Sequence, residues 1–232
     1  MLMTAFADEG DHYERSFLAG WPGRLENALQ VAERVHALAS RLAEIGPSYG
    51  QLWPLMESRR LRPSDPGPVL EMSTEELGRL IDRRGRFDLP ALPAPVGEEG
   101  YSFSLVGYGD PSAPRTHGVA VRAGAYRASA DNEVRLTFGN TCPIWRDAEQ
   151  ALRVLHGLVD TFDASWATAF AFIAEPDGGG RDRPWLAWTA APLTPRPAPP
   201  FLRTYPYPFP FSGEAPPSVV RPDHGGELKL WD

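Results

Sequence analysis

The apolar positions of this chain change period partway along it. From Leu25 onward, Leu25, Ala28, Leu29, Ala32, Val35, Ala39, Leu42 and Ala43 recur three and four residues apart, with Glu26, Glu33, Arg34, Arg41 and Glu44 set between them. That spacing predicts one face of an amphipathic helix. Pro22 suits its first turn, Glu26 complements the positive end of the macrodipole, and Gly46-Pro47 closes it. Trp53-Pro54 is expected to lie over the end of this helix. "STEELGRLIDRRG" predicts a second, short helix from Ser73 or Thr74 to Arg84, with a hydroxyl cap, a glutamate in the first turn and Gly85 at its end.

Prolines at 90, 93 and 95 make the stretch from Asp88 to Gly100 an extended connector, and beyond it the period falls to two. Tyr101, Phe103 and Leu105, then Val119 and Val121, then Val134, Leu136 and Phe138 alternate with small or polar residues. These read as three strands of an antiparallel meander with one polar face, joined by loops at Gly109 to Pro114 and Ala128 to Asn132. A further helix is predicted behind Asp147, its inner stripe formed by Ala151, Leu152, Leu155, Leu158, Val159 and Phe162. "SWATAFAFIAE" and "RPWLAWTAA" predict two more strands, joined through the glycine-rich loop from Pro176 to Arg183. The order of elements predicts an α+β fold, an antiparallel sheet with helices packed on one face.

Eleven prolines fall between residues 192 and 222, several alternating with aromatics in "TYPYPFPFSGEAPP". Such a segment is excluded from a sheet interior and is expected to wrap the surface as a Pro/aromatic extension of a single domain spanning 1–232. "GGELKLWD" is expected to add a last edge strand. The start of the chain has no basic segment followed by an apolar one, and no stretch approaches eighteen apolar residues, which predicts a cytosolic protein with no membrane contact.

Composition narrows the function. With 232 residues, 42% of them hydrophobic, the chain can bury a full core. Its net charge of −7, with no cluster of basic residues, argues against direct binding of nucleic acid. A single cysteine, Cys142, excludes an intramolecular disulfide and a thiolate metal cluster.

Candidate chemistry is sparse. His156 and Asp160 stand four apart on the predicted third helix, close enough to share a proton or a metal, yet no third ligand accompanies them. Cys142 ends a strand but has no histidine linked to it in sequence, so a small half-buried hydrophobe is the simpler reading. His12 and His117 are isolated. "GYGDPSAPR" lacks both a Walker lysine and a following helix, and Glu98 and Glu99 point to opposite sides of an extended chain. Neither a metal nor a cofactor is expected, and no catalytic residue is assigned. Tyr205, Tyr207, Phe209 and Phe211 differ, because stiff aromatics interleaved with proline lose little entropy on meeting a partner.

Four segments together resemble the immunity protein 52 family of bacterial polymorphic-toxin systems. "GWPGRLENALQVAERV" resembles its aromatic entry through Trp21, Arg24 and Glu26, with Asn27 where the family has serine. "LASRLAEIGPSYGQLW" matches a segment ending in Trp53; "GYSFSLVGYG", "GVAVRAGAY" with Gly124, and "NEVRLTF" match its central strands. "DAEQALRVLHGLVDTFDASWATAF" and "PWLAWTAA" match its closing helix and strand. The likeness covers roughly residues 12 to 190 and departs from the family in its long tail.

The resemblance implies a bacterial cytoplasmic antitoxin that binds a cognate toxin, commonly a restriction-endonuclease-like nuclease domain, and acts as its inhibitor without being an enzyme. Trp21, Arg24, Glu26, Trp53 and Gly124 are then mainly structural. Trp21 is expected to anchor the helix start, and Arg24, poorly placed for the dipole, to take a carboxylate from elsewhere in the fold. Candidate toxin-binding residues are Tyr108, Asp110, Tyr205, Tyr207 and Phe209, and a homodimer stays open. Two alternatives remain: a small hydrolase or transferase using His156 and Asp160, with His117, or a secretion-associated adaptor that offers the tail to a grooved receptor.

Overall fold

The strand at the centre of the molecule is one that hydrophobic periodicity did not announce. Tyr13–Trp21 forms β1, pairing antiparallel with a strand on either side. Phe17, Ala19 and Trp21 turn to one face and are buried, while Ser16, Leu18 and Gly20 turn to the other. Glu14 and Arg15 in its first half mask the alternation. The computed structural model describes residues 13–54, 67–84, 99–108, 115–125, 132–139, 142–174, 180–190 and 219–230.

Among the described residues three helices and eight further strands accompany it: α1 (Ala28–Ile45), β2 (Leu52–Pro54), α2 (Thr74–Arg84), β3 (Glu99–Tyr108), β4 (Arg115–Ala125), β5 (Asn132–Phe138), α3 (Ala148–Phe162), β6 (Trp166–Ala174), β7 (Gly180–Ala190), β8 (Val219–Asp223) and β9 (Gly226–Leu230). The strands make one antiparallel sheet in the order β2-β3-β4-β5-β1-β6-β7-β9-β8, with the helices packed on one face, an α+β architecture as the pattern predicted. The β3-β4-β5 meander forms as expected.

Register explains the core. Leu105, Val119, Leu136, Phe17, Ala169 and Leu186 stand side by side across six strands, and Phe103, Val121, Val134, Ala19, Ala167, Trp188 and Leu228 form the next row. The helices lay Val31, Val35, Leu38 and Leu42 of α1, Leu77 and Ile81 of α2, and Val154, Leu155 and Leu158 of α3 into the same core. Phe17 is stacked on Trp145 at 4.9 Å and meets the ring of Phe138 edge-on at 6.2 Å.

Several boundaries differ from those predicted. α1 begins at Ala28, after Pro22 and Glu26, because Asn27 caps it reciprocally: the Gln30 amide donates to the Asn27 side chain at 3.0 Å, and the Asn27 amide donates to the Gln30 side chain at 2.9 Å. Leu25 therefore precedes the helix and Leu29 turns off its inner stripe; they are 64% and 42% exposed. α2 carries the predicted cap, with the Glu76 amide donating to Ser73 Oγ and the Ser73 amide donating to the Glu76 carboxylate. The Ser73 amide first, and then the Ser73 hydroxyl, hold the Glu76 carboxyl below its ordinary range by hydrogen bonding to its ionised form. Asp147 caps α3 as predicted, accepting from the amides of Glu149 and Gln150.

At the other end of the chain, Gly180 to Arg183 pair with β6 instead of forming loop. Residues 219–222, the last of the proline-rich stretch, fall in β8 (Val219–Asp223), an edge strand that so tolerates Pro222; β9 lies one place inside it. The β8–β9 turn puts His224 and Gly225 at positive φ (47° and 74°), the pairing a two-residue hairpin of matching twist requires. The remainder of 192–222, the connector from 85 to 98 and the loops 109–114 and 126–131 lie outside the described residues. Among the described residues no helix is long and apolar enough to cross a membrane.

Candidate functional site

Four of the five residues that carry the family resemblance meet at the entry to α1. Trp21 ends β1 and its indole stacks on Phe162, the last residue of α3, at 4.8 Å. The Arg24 guanidinium lies over the Trp21 ring, 5.7 Å from its centroid. Arg24 donates to the Phe162 carbonyl at 2.8 Å and to Asp163 Oδ2 at 3.1 Å, and its Nε lies 3.1 Å from Glu26 Oε1. Arg34, one helical turn and more into α1, donates to the same Glu26 oxygen at 2.6 Å, to Asp163 Oδ2 at 3.0 Å and to the Thr161 carbonyl at 2.6 Å.

Two guanidinium groups thus clasp two carboxylates and the last carbonyls of α3. Those carbonyls are the negative end of a helix dipole. Arg24 was expected to be badly placed for a dipole because it precedes α1; it is well placed for that of α3, and takes its carboxylates from Glu26 and Asp163. Asp163 itself adopts the left-handed conformation that ends α3 (φ 47°, ψ 47°). Glu26, expected as a first-turn helix residue, is instead the buried hub, its side chain 4% exposed.

Gly124 completes the clasp from β4. Its φ is +80°, and a Cβ there would stand 2.8 Å from the Glu26 carbonyl oxygen, so only glycine allows the loop to lie against the strand. Trp53 is not part of this assembly; it sits half-buried in β2, opposite Val106 of β3, at the far end of the sheet from β8. Of the residues expected to face a toxin, Tyr108 ends β3, and Asp110, Tyr205, Tyr207 and Phe209 lie outside the described residues.

His156 and Asp160 are not paired with each other. Each reaches across to the β8–β9 turn: His156 Nε2 meets Asp223 Oδ2 at 2.6 Å, His224 Nε2 meets Asp160 Oδ1, and the two imidazoles stack at 4.5 Å. Arg41 of α1 donates to the other Asp160 oxygen at 3.0 Å. Neither Asp223 nor His224 was singled out from the sequence, because only the fold brings them beside α3. His117 lies on β4, five strand positions from β9, about 24 Å away at ~4.8 Å per strand, and does not join them. It is buried, stacked on Phe138, and donates through Nε2 to the Tyr49 carbonyl at 2.9 Å. His117, isolated in the sequence, is thus a buried strand residue with ring and backbone partners.

Cys142 is half-buried against the core, as the simpler reading had it, and its thiol donates to the Tyr49 hydroxyl at 3.4 Å. Burial, reinforced by that contact, raises the Tyr49 phenol well above its ordinary value. Among the described residues no three His, Cys, Asp or Glu side chains converge to hold a metal ion.

Among the described residues a groove lies on either side of α1. One, of about 420 Å³, runs between α1 and α2 past Leu29, Gly78, Asp82 and Tyr101. The other, of about 370 Å³, runs between α1 and α3 past Glu26, Glu33, Arg34, Arg41, Asp160 and Thr161. A scan against protein-family models and a search of curated proteins both find no match to this chain.

Proposed function

We propose that this chain is a cytoplasmic immunity protein that binds a cognate bacterial toxin, a nuclease domain of restriction-endonuclease-like type, and occludes its active site. The observation that supports it best is the clasp. Trp21, Arg24 and Glu26 from one stretch and Gly124 from another were singled out by resemblance to immunity protein 52, and they meet in a shared packing unit. A set of residues that depend on one another in this way is what a family's structural signature consists of.

Charge supports the same reading. A net charge of −7 steers a molecule towards a basic, phosphate-binding cleft and raises the rate of encounter more than the final affinity. Co-expression with the toxin encoded beside it tests the proposal: cells carrying both genes should survive, and cells as sensitive with this chain as without it would refute it.

The crossed His156–Asp223 and His224–Asp160 pairs are the feature that favours a hydrolase or transferase instead. Under the binding reading they fasten the β8–β9 turn to α3 and perform no reaction. His156→Gln together with His224→Gln should then leave protection intact, whereas loss of protection with the fold and toxin binding preserved would favour the catalytic alternative.

A further inference from the structure

We infer that the face of the sheet turned away from the helices is a docking face for the chain's own residues 191–218, an inference independent of the function proposed above. Every neighbouring pair of strands is antiparallel, so β1, β2, β7 and β8 run one way while β5 and β6 run the other. Among the described strands, three connections therefore join parallel members of one sheet: β1 to β2 through α1, β5 to β6 through α3, and β7 to β8 through 191–218. Such crossovers are right-handed almost without exception, because the twist of the strands favours that return.

Hand fixes the face. From β1 to β2 the chain steps towards the β2 edge, and from β5 to β6, running the opposite way, it steps towards the β8 edge; with both helices on one face, the two crossovers share one hand. From β7 to β8 the chain runs as β1 does but steps towards the opposite edge, so the same hand is kept only if 191–218 crosses the other face. The helix face is also obstructed there. The β8–β9 turn beside Ala190 is tied to α3 through the His156–Asp223 and His224–Asp160 pairs, and the Trp188 indole donates to the Asp223 carbonyl at 2.9 Å. Ala190 stands level with Asp223, and Val219 with Leu186, which leaves a gap of about 16 Å, four residues at ~3.3 Å by two strand spacings at ~4.8 Å. About five extended residues would span it, so most of 191–218 is available to lie against the face it crosses.

Burial on that face favours the same side. The open face of an antiparallel sheet is ordinarily wet. On β4, Ala120 and Arg122 are exposed accordingly, but nearer to β7 the side chains are dry: Thr168 and Phe170 of β6 are 3% and 5% exposed, and Leu18 of β1 is half-buried. The Thr168 hydroxyl donates to the Leu186 carbonyl at 2.9 Å and needs no water. Arg135 shelters part of the patch, donating to Ser16 at 3.2 Å and lying 5.5 Å over the Phe170 ring. Residues 191–218 supply what such a patch takes. Tyr205, Tyr207, Phe209 and Phe211 carry large apolar area, and the prolines between them have no N–H to offer a strand edge, so contact through side chains on a face suits them. Docked there, Tyr205, Tyr207 and Phe209 are withdrawn from the toxin-facing role expected of them, which leaves the helix side to a partner.

The test is a ¹³C-edited NOESY spectrum of the full, isotope-labelled wild-type chain. The ring protons of Tyr205, Tyr207, Phe209 and Phe211 should give cross-peaks to the methyls of Leu18 and Thr168, and none to those of Leu25 and Leu29 on the helix side. Ring contacts with the helix-side methyls, contacts that arise only between copies in a mixed-label sample, or no contact with the sheet would each overturn the inference. Replacing the four aromatics by serine should shift the Leu18 and Thr168 methyl resonances, through loss of the ring currents, and leave those of Leu25 and Leu29 in place. Leu18 and Thr168 resonances that do not move would overturn it as well.

Discussion

At the scale of single residues, Glu26 and Gly124 bear the consequences of the clasp. Replacing Glu26 by Gln removes the charge that two partly buried arginines share, and such a loss costs about 3 kcal/mol when the remaining charges are left in place. Asp163, 67% exposed, contributes much less and does not compensate. Gly124→Ala combines a positive φ with a contact of 2.8 Å, and should cost about 1–3 kcal/mol. Urea denaturation of both variants checks these figures; wild-type midpoints would show that the clasp is ornamental.

Tyr49 makes a prediction of opposite character. Its phenol keeps its proton in the folded state above the ordinary value of 10.0, while the unfolded chain releases it. The folded state therefore binds more protons at high pH, and the contribution of Tyr49 to stability, fully present below about pH 10, is lost as pH rises beyond it. Tyr49→Phe, which has nothing to ionise, should flatten that decline in thermal melts between neutral pH and strong alkali.

At the scale of elements, α2, α3 and the β3-β4-β5 meander were legible because each carries its own local signals: Ser73 and Asp147 as caps, and strict alternation through Val119, Val121, Val134 and Leu136. β1 was not. Its alternation of Phe17, Ala19 and Trp21 is short, begins among charged residues and ends in Trp-Pro-Gly, which reads as the approach to a helix. The start of α1 was misplaced for the same reason. Leu25 looks like part of the apolar stripe until Asn27 is seen to cap the helix, a role that serine, the residue expected there, performs equally well. Asn27→Ser should accordingly leave stability unchanged within about 0.5 kcal/mol, and Asn27→Ala should lower it by about 1 kcal/mol, as chemical denaturation will read.

The candidate site was legible in its members but not in its contacts. The resemblance nominated Arg24 and Glu26, and helical spacing nominated His156 and Asp160; neither gave a sign of Arg34, Asp163, Asp223 or His224 as their partners. Arg34 is eight residues from Glu26, beyond one helical turn, and Asp163, Asp223 and His224 are each more than sixty residues from their partners, brought there by the fold. Long-range ion pairs leave no periodic trace, so only a structure can assemble them.

At the scale of the whole molecule, the nine-stranded sheet among the described residues backs α1, which has exposed Leu29 on it, exposed Leu25 just before it and a groove on either side. The account rests on that surface being used to cover another protein. Its most direct test is cleavage of DNA by the purified toxin nuclease domain that the proposed function makes its partner, titrated with this chain. Cleavage should fall in proportion and stop at molar equivalence, with slower onset at high salt as screening weakens the encounter. Undiminished cleavage in the presence of excess chain would contradict the account, as would inhibition at amounts far below equivalence, since that requires turnover.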